Sequence, residues 1–388
     1  MNVSDSIKYI GVDDHEIDLF EGQFEVPLGM AYNSYVIIDE KIAVLDSVDE
    51  NFGDQWLSNL QKVLLEAGER KPDYLIVHHM EMDHSANIKR FAELFPEAKI
   101  VASKMAFTMM KNLFGTDFSE RQIVASEGFE LKLGKHSLKF IAAPNVHWPE
   151  VLFSYEETEG VLFSADAFGK FGANDTEDPE GWACEARRYY FGIVGKFGQA
   201  VQNVLKKAAV LKINKICPLH GPVLDDNISY YLDIYDTWSS YKVESDGIAV
   251  FYTSVYGNTK KTCEKLAEIL LEKGASKVIV NDLAREDIYE CIEDAFRYGK
   301  IVLATTTYNG GVFPKMQEFI EHLVSRDFQK RKIGFIENGS WAPSAAKGMK
   351  NLFENSKDIS FCENAVTVKM ALTDENISQL KVLADEIL

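Results

Sequence analysis

From Ile248 onward the sequence alternates strictly between apolar runs of strand length and amphipathic patterns of helix length. In the first of these helices Cys263, Leu266 and Leu270 share one face at helical spacing. Five strand–helix units in about 140 residues are typical of a doubly wound, five-stranded parallel sheet. The predicted strands are 248–253, 277–281, 300–305, 332–337 and 365–371, and the predicted helices are 258–273, 286–297, 313–325, 343–354 and 374–387.

The first 220 residues have a different pattern, with many short strands and few helices. This mixture predicts sheets covered by helices rather than a second doubly wound domain. The predicted strands are Ser34–Asp39, Ile42–Asp46, Tyr74–His78, Lys99–Ser103, Leu138–Ala142, Val161–Ala165 and Lys215–Cys217, and the predicted helices are 55–67, 86–95 and about 196–211. We therefore predict two domains, 1–245 and 246–388, with residues 222–245 as a helical connector.

Charge and composition exclude several classes of function. The chain has 60 acidic and 41 basic residues and a net charge of −19, so nucleic acid and anionic membranes are unfavourable partners. No apolar stretch approaches the roughly 18 residues of a membrane span, and the first residues lack a signal-peptide pattern. The five cysteines form no CxxC pair, so neither a disulfide framework nor a cysteine metal site is predicted. We expect a cytoplasmic protein.

A dense group of potential metal ligands follows the apolar run that ends at His78. It reads His-Met-Glu-Met-Asp-His over residues 79–84. In an extended loop the side chains at 79, 81 and 83 project to the same side, so one imidazole and two carboxylates would converge. Met80 and Met82 would then point into packing, and His84 would add another imidazole. His78 itself lies in the strand end, and we interpret it as a packing or supporting residue.

Three further candidates follow apolar strands: His147, Asp166 and His220. If these strands share a direction, all the groups meet at one edge of a sheet. A single histidine is usually an ordinary core or surface residue, but the joint pattern supplies four imidazoles and three carboxylates. That number suffices for two metals, with Asp166 as a candidate bridge. The predicted metal ligands are His79, Glu81, Asp83, His84, His147, Asp166 and His220.

The ligand types favour iron over zinc. Zinc hydrolases use mainly histidine or cysteine and leave one position for water. Here Glu81 occupies the middle of the motif, and carboxylates are numerous. Mixed imidazole–carboxylate sets with open positions suit iron, particularly in oxygen chemistry.

Three loops of the second domain each follow a predicted strand and indicate a flavin mononucleotide (FMN) site. The first opens a helix, where backbone N–H groups and the hydroxyls of Ser254 and Thr259 would receive the phosphate. Trp341 in the third loop could stack on the isoalloxazine ring. The carboxyl ends of the strands are the expected ligand edge of such a sheet. The predicted FMN-binding residues are Ser254, Val255, Tyr256, Gly257, Asn258, Thr259, Thr306, Thr307, Tyr308, Asn309, Gly310, Asn338, Gly339, Ser340 and Trp341.

The motif at 79–84 with the three later ligands, followed by the three flavin loops, resembles the flavodiiron proteins over essentially the whole chain. The resemblance implies an α+β metallo-β-lactamase-like αββα sandwich, followed by an α/β flavodoxin-like doubly wound five-stranded parallel sheet. It also implies two iron ions and FMN as cofactors. One iron would be bound by His79, Glu81 and His147, the other by Asp83 and His220, with Asp166 between them. His84 matches the motif, but its ligation varies within the family.

The same resemblance implies an oxidoreductase. Electrons would pass from an external donor, such as rubredoxin or its reductase, through FMN to the irons, which would reduce dioxygen to water. Reduction of nitric oxide to nitrous oxide is the alternative, and the sequence does not decide between the two gases. No CxxC pair of an appended rubredoxin domain occurs before Leu388, so we expect a separate donor protein. The family assembly is a head-to-tail homodimer, or a dimer of such dimers.

Two other hypotheses remain open at this point. A zinc hydrolase with a regulatory flavodoxin domain is disfavoured by Glu81. A flavodoxin-type electron carrier, with the first domain as a docking module, would leave the metal motif without a role. Iron content and gas consumption distinguish both from a gas reductase.

Overall fold

The computed structural model describes residues 3–388, which form two compact units. The first unit ends at Asp236, and the second runs from Thr237 to Leu388. The sequence prediction places the domain boundary slightly later, between residues 245 and 246, just before the predicted strand 248–253. Among the described helices, none has the length and apolar character needed to span a membrane.

The first unit contains mostly short strands. They are β1 (Ile7–Tyr9), β2 (Val12–Asp14), β3 (Leu19–Phe20), β4 (Phe24–Glu25), β5 (Met30–Tyr32), β6 (Tyr35–Ile38), β7 (Ile42–Leu45), β8 (Tyr74–Ile76), β9 (Lys99–Ala102), β10 (Gln122–Val124), β11 (Glu130–Lys132), β12 (Ser137–Ala142), β13 (Leu152–Glu156), β14 (Val161–Phe163) and β15 (Lys215–Cys217). The helices are α1 (Gly53–Glu66), α2 (Met82–Ser85), α3 (Ile88–Leu94), α4 (Lys104–Phe114), α5 (Trp182–Tyr189), α6 (Gly198–Ala208) and α7 (Ile228–Ser239), the last of which crosses the division between the units.

Two sheets form the centre of the first unit. One has the order β1-β6-β7-β8-β9-β10 and is parallel from β7 onward, and the other has the order β11-β12-β13-β14-β15. Apolar side chains of both sheets, including Ile37 and Leu45 from the first and Phe140 and Phe163 from the second, pack into one core. Helix α6 packs on β12 of the second sheet. This agrees with the sheets covered by helices that the sequence pattern predicts, and with the αββα sandwich that the family resemblance implies.

Strand direction in the second sheet brings the predicted ligands to one edge. β12 and β14 are both antiparallel to β13, so they run in the same direction, and β15 is parallel to β14. His147, Asp166 and His220 follow these three strands in turn and therefore leave the sheet at the same edge.

The second unit is a doubly wound α/β structure. Its strands are β16 (Ser245–Tyr252), β17 (Val278–Asp282), β18 (Tyr298–Thr306), β19 (Arg331–Asn338), β20 (Ile359–Phe361) and β21 (Val366–Val368), and its helices are α8 (Asn258–Glu272), α9 (Ile288–Arg297), α10 (Pro314–Ser325), α11 (Ala345–Leu352) and α12 (Asp374–Ile387). The parallel strands have the order β17-β16-β18-β19, and β20 and β21 both pair with β19. Helices α8 and α12 cover one face, where Leu266 and Leu380 join a buried core. Burial of each such leucine contributes about 1.5–3 kcal/mol.

The five-stranded sheet is confirmed, but its fifth position is divided between β20 and β21. The backbone between them leaves the ladder because the N–H groups of Glu363 and Asn364 donate to Glu386 Oε2 on α12, at 2.7 and 3.3 Å. The sequence predicted one strand here, over 365–371, and showed no sign of the earlier segment.

Candidate functional sites

The loop after β8 begins extended and then turns into the short helix α2. The N–H groups of His84 and Ser85 both donate to the Glu81 carbonyl oxygen at 3.0 Å, which closes the turn. The predicted extended conformation is therefore wrong at Asp83. A helical turn nevertheless directs both Asp83 and His84 inward, where both are buried.

The same turn changes the environment of one of the two methionines. Met80 is buried, as predicted, but Met82 is 55% exposed. The prediction that Met82 packs inward is wrong, because a helical turn does not preserve the alternation of an extended strand.

Four of the predicted ligands form a first group at the end of the sheets: His79, Glu81, His147 and Asp166. His147 Nε2 lies 3.0 Å from Glu81 Oε2 and 3.0 Å from Asp166 Oδ2. His79 Nε2 lies 3.3 Å from His147 Nε2 and 3.4 Å from Asp166 Oδ2. The atoms that could bind a metal thus converge on one position.

The other three form a second group: Asp83, His84 and His220. His84 Nε2 and His220 Nε2 are 3.0 Å apart, and each lies 3.3 Å from Asp83 Oδ2. Asp166 Oδ1 faces this group, 3.4 Å from His84 Nε2, whereas its Oδ2 faces the first group. One carboxylate therefore reaches both positions, and His84 points inward with the rest.

The backbone before Asp166 adopts an unusual conformation. Ala165 has a φ of 47°, in the left-handed region that non-glycine residues seldom occupy. It turns the chain at the end of β14 and places the Asp166 carboxylate between the two groups. Such local strain is common at functional sites, where the surrounding fold holds it.

Buried partners orient two of the histidines. His79 Nδ1 lies 2.8 Å from Glu150 Oε1, and His220 Nδ1 lies 2.7 Å from the Ala31 carbonyl oxygen. A carbonyl oxygen only accepts, so His220 donates through Nδ1 and keeps a lone pair on Nε2. A carboxylate partner has the same effect on His79. Such partners fix the tautomer and the ring orientation of metal-binding imidazoles.

Sequence reasoning missed Glu150, and no motif in the chain marks it. Its Oε1 also accepts the Met80 N–H at 2.9 Å, so one buried carboxylate fixes both the His79 ring and the loop backbone. His78 is a supporting residue, as expected. Its ring lies 2.6 Å from Asp46 Oδ2 and 2.8 Å from Ser154 Oγ, which connects the two sheets beneath the loop.

The electrostatics of the cluster favour bound positive charge. Burial alone would lower the pKa of His147, but hydrogen bonds with Asp166 and Glu81 raise it to about 9. Burial would raise the pKa of Asp166, but the His79 and His147 imidazoles hold it well below its ordinary value. Burial would likewise raise the pKa of Glu81, but hydrogen bonds with His147 and His79 hold it well below its ordinary value. Asp166 and Glu81 are thus kept ionised in the site, where a cation would neutralise them.

Several buried oxygen atoms in the site have no hydrogen-bond partner among residues 3–388. Both carboxylate oxygens of Asp83 and Oδ1 of Asp166 are among them. Buried carboxylate oxygens are normally hydrogen-bonded or bound to metal. With the converging Nε2 atoms, these oxygens fit two adjacent metal ions, and the mixed donor set suits iron.

The second unit carries a cleft of about 540 Å³ at the carboxyl ends of its strands. Fourteen of the fifteen predicted FMN-binding residues line it, with Ala342 and Met370 in addition. Gly257 is the predicted residue that does not. It precedes α8 with a φ of +86°, which favours glycine, so its part is to start the helix.

The cleft offers separate places for an anion and for a flat ring. The Ser254 hydroxyl oxygen accepts hydrogen bonds from the backbone N–H groups of Gly257 and Lys260, at 3.0 and 3.3 Å. These hydrogen bonds shape the loop at the start of α8. Tyr256 and Trp341 are 92% and 90% exposed, unusual values for aromatic side chains that line a cleft. A helix N-terminus and two open aromatic rings fit a phosphate and an isoalloxazine.

Comparisons with known proteins match both units. Residues 30–221 match the family described as ODP family beta lactamase, and residues 249–365 match the family described as flavodoxin domain. The chain is 32% identical to the diflavin flavoprotein A 2 of Synechocystis sp. over 88% of this chain, but it spans 59% of the length of that relative. It is 28% identical to a nitric oxide reductase of Moorella thermoacetica over 99% of this chain and 97% of the relative.

Solved structures agree on the fold. The rubredoxin oxygen:oxidoreductase of Desulfovibrio gigas superposes with a TM-score of 0.91 at 23% identity, and the match covers 100% of this chain and 97% of the other. The flavodiiron protein of Giardia intestinalis superposes with a TM-score of 0.87 at 24% identity, over 100% and 95% of the two chains. At these identities the likeness establishes the two-domain fold.

Proposed function

Because the chain belongs to the flavodiiron proteins, we propose that it is an oxidoreductase that reduces dioxygen to water. In this proposal electrons pass from an external donor through FMN to a diiron site. The observation that carries it is the arrangement of seven buried or half-buried ligand groups around two adjacent positions, with Asp166 facing both.

We propose the following ligand assignment. His79, Glu81 and His147 would hold one iron, Asp83, His84 and His220 would hold the other, and Asp166 would serve both. His84 is included because its Nε2 lies 3.0 Å from His220 Nε2 and 3.3 Å from Asp83 Oδ2. When bound, the irons supply open coordination positions for the gas, and FMN supplies electrons singly or in pairs.

Residues of this chain orient the metal ligands and position the two cofactors. Glu150 and the Ala31 carbonyl oxygen hold two imidazoles in the orientation and tautomer that metal binding needs. Tyr32 and Phe20 place their rings 6.0 and 5.4 Å from the His220 ring, and this aromatic wall limits access of water. In the second unit, the N-terminus of α8 would hold the phosphate of FMN, and Trp341 would stack on its ring.

Nitric oxide reduction to nitrous oxide is the second candidate activity, because relatives along almost the whole chain are named nitric oxide reductases. Both gases would use the same open positions. An external donor such as rubredoxin, a head-to-tail homodimer or dimer of dimers, and a cytoplasmic location stay predictions.

The test begins with anaerobically purified, full-length protein. We expect about two irons and one FMN per chain, and rapid reoxidation of the reduced protein by dioxygen or by nitric oxide in separate mixing experiments. The faster gas identifies the substrate. Stoichiometric zinc without iron after growth in iron-replete medium would favour a hydrolase instead. A yellow protein that consumes neither gas would favour an electron carrier.

A further inference from the structure

A second cavity, of about 510 Å³, lies at the opposite edge of the second unit's sheet from the flavin cleft. Its lining comes from the beginnings of β16, β18, β19 and β20, whereas the cleft is formed at the carboxyl ends of strands. In a parallel sheet these are opposite edges. The residues that matter here are Ser245, Asp246, Lys300, Lys330, Arg331 and Lys332.

Arg331 carries a buried positive charge without an acidic partner. The residue is 2% exposed, and both terminal nitrogens of its guanidinium donate to carbonyl oxygens. Nη1 donates to Tyr241 and Gln329 at 2.8 and 3.1 Å and also to Lys330, and Nη2 donates to Phe296 and Lys242. Its Nε has no hydrogen-bond partner, and within residues 3–388 no carboxylate lies at ion-pair distance. Burial lowers its pKa to about 10. The carbonyl oxygens satisfy Nη1 and Nη2, so Arg331 contributes its positive charge to the cavity rather than free hydrogen-bond donors.

Three lysines line the same cavity, and none of them forms an ion pair with a side-chain carboxylate of the described residues. The Lys332 ammonium lies near enough to the Glu386 carboxylate to help lower its pKa. Lys300 Nζ donates to the carbonyl oxygen of Leu388 at 2.6 Å, and Lys330 Nζ donates to that of Ser240 at 2.8 Å. Lys332 Nζ donates to the Glu386 carbonyl oxygen. Each ammonium group has three donors, so two remain on each.

Two carboxylates also belong to the lining, Asp246 and Asp358. Asp246 accepts a hydrogen bond from the Ser276 hydroxyl at 2.6 Å. Four cations against two carboxylates leave a net positive cavity on a chain whose net charge is −19. Hydroxyl groups of Ser245 and Ser360 add neutral donors.

We propose that this cavity binds the phosphate group of a small anion. Phosphate matches the clustered ammonium donors of Lys300, Lys330 and Lys332, to which Arg331 adds positive charge, and the cavity volume falls within the range of small-molecule sites, about 300–1,000 Å³. The volume exceeds what a single phosphate ion fills, and the carboxylates and serines can bind the hydroxyl groups of a sugar phosphate. Gas reduction does not depend on this site, so the proposal stands apart from the proposed function.

The test uses full-length protein loaded with iron and FMN, so that the flavin phosphate site is already filled. Inorganic phosphate and ribose 5-phosphate are titrated separately by calorimetry at low ionic strength, with chloride as the reference anion. The test variant is Lys330→Gln with Lys332→Gln. The matched control is Lys315→Gln with Lys381→Gln, which removes the same charge from helices α10 and α12 of the same unit.

We expect one phosphate group bound per chain, an affinity at least about tenfold lower in the test variant, and no change in the control. FMN content and gas reduction should be equal in all three proteins. Tighter binding of ribose 5-phosphate would identify a phosphate ester as the ligand, and tighter binding of phosphate would identify the free ion. The proposal is overturned if neither compound binds more tightly than chloride. It is also overturned if the test variant binds phosphate as tightly as the wild type, which is the result expected if the anion binds at the irons. An equal loss of affinity in the test variant and the control variant would overturn it as well.

Discussion

Glu150 offers the most direct test of how the fold prepares the metal site, and Glu150→Gln is the informative change. The carboxylate accepts two hydrogen bonds, from His79 Nδ1 at 2.8 Å and from the Met80 N–H at 2.9 Å. The amide oxygen of glutamine has the same size and can accept both. The substitution therefore removes the negative charge while it preserves the shape of the site.

The magnitude follows from the two bonds. A bond to a charged acceptor contributes about 1.5–3 kcal/mol, and a neutral acceptor provides about half of that. Each bond therefore loses about 1 kcal/mol. The bond from His79 sets the basicity of a ligand, and the bond from Met80 fixes the loop that carries Glu81. If both losses act on metal binding, iron affinity falls by about 2 kcal/mol, or roughly 30-fold, within the usual range for such partners.

The assay is competition for iron with a chelator under anaerobic conditions, together with FMN absorbance and the unfolding temperature. The control variant is Glu127→Gln, which neutralises a half-exposed carboxylate of the same unit that pairs with Lys207 at 2.6 Å. We expect a loss of iron affinity in Glu150→Gln alone and unchanged FMN in both variants. Wild-type iron affinity in Glu150→Gln would show that His79 needs no charged partner and would refute the reasoning. A fall in unfolding temperature of the iron-free protein without a change in iron affinity would assign Glu150 to stability alone.

Further predictions concern the ligands and the modules. Asp166→Asn should lose iron and nearly all gas reduction but keep FMN, because the amide has neither the charge nor the two equivalent oxygens that face both groups; full iron loading with normal turnover would contradict this. Glu81→His should bind more zinc and reduce gas poorly, since it replaces a carboxylate by an imidazole, and metal analysis after growth with both metals measures the shift. A fragment of residues 246–388 should fold, bind FMN and accept electrons without consuming oxygen; oxygen consumption at the rate of the whole protein would remove any role for the irons. Trp341→Ala should weaken FMN binding by about 0.5–1.5 kcal/mol while iron content stays unchanged, as measured by fluorescence titration; an unaltered affinity would exclude stacking.

Local sequence patterns were enough to predict most of the secondary structure of the second unit. Its helices begin and end within two or three residues of the predicted bounds, because each has a clear apolar face and a loop with turn residues at either end. The flavin loops could be located for the same reason, since they follow directly from strand ends in a parallel sheet. The division of the fifth strand could not be predicted, because it depends on Glu386 of a distant helix.

The sequence also determined the chemistry of the metal site: which side chains could bind, and that they are enough for two ions. Residue spacing alone left their grouping open, and it was available only through the family resemblance, because His79 and His147 are separated by 68 positions and His84 and His220 by 136. Their meeting depends on the shared direction of β12, β14 and β15, which no local pattern encodes. The turn at α2 and the partners of the imidazoles were likewise invisible in the sequence. Glu150 looks like any other acidic residue until the folded chain buries it against His79.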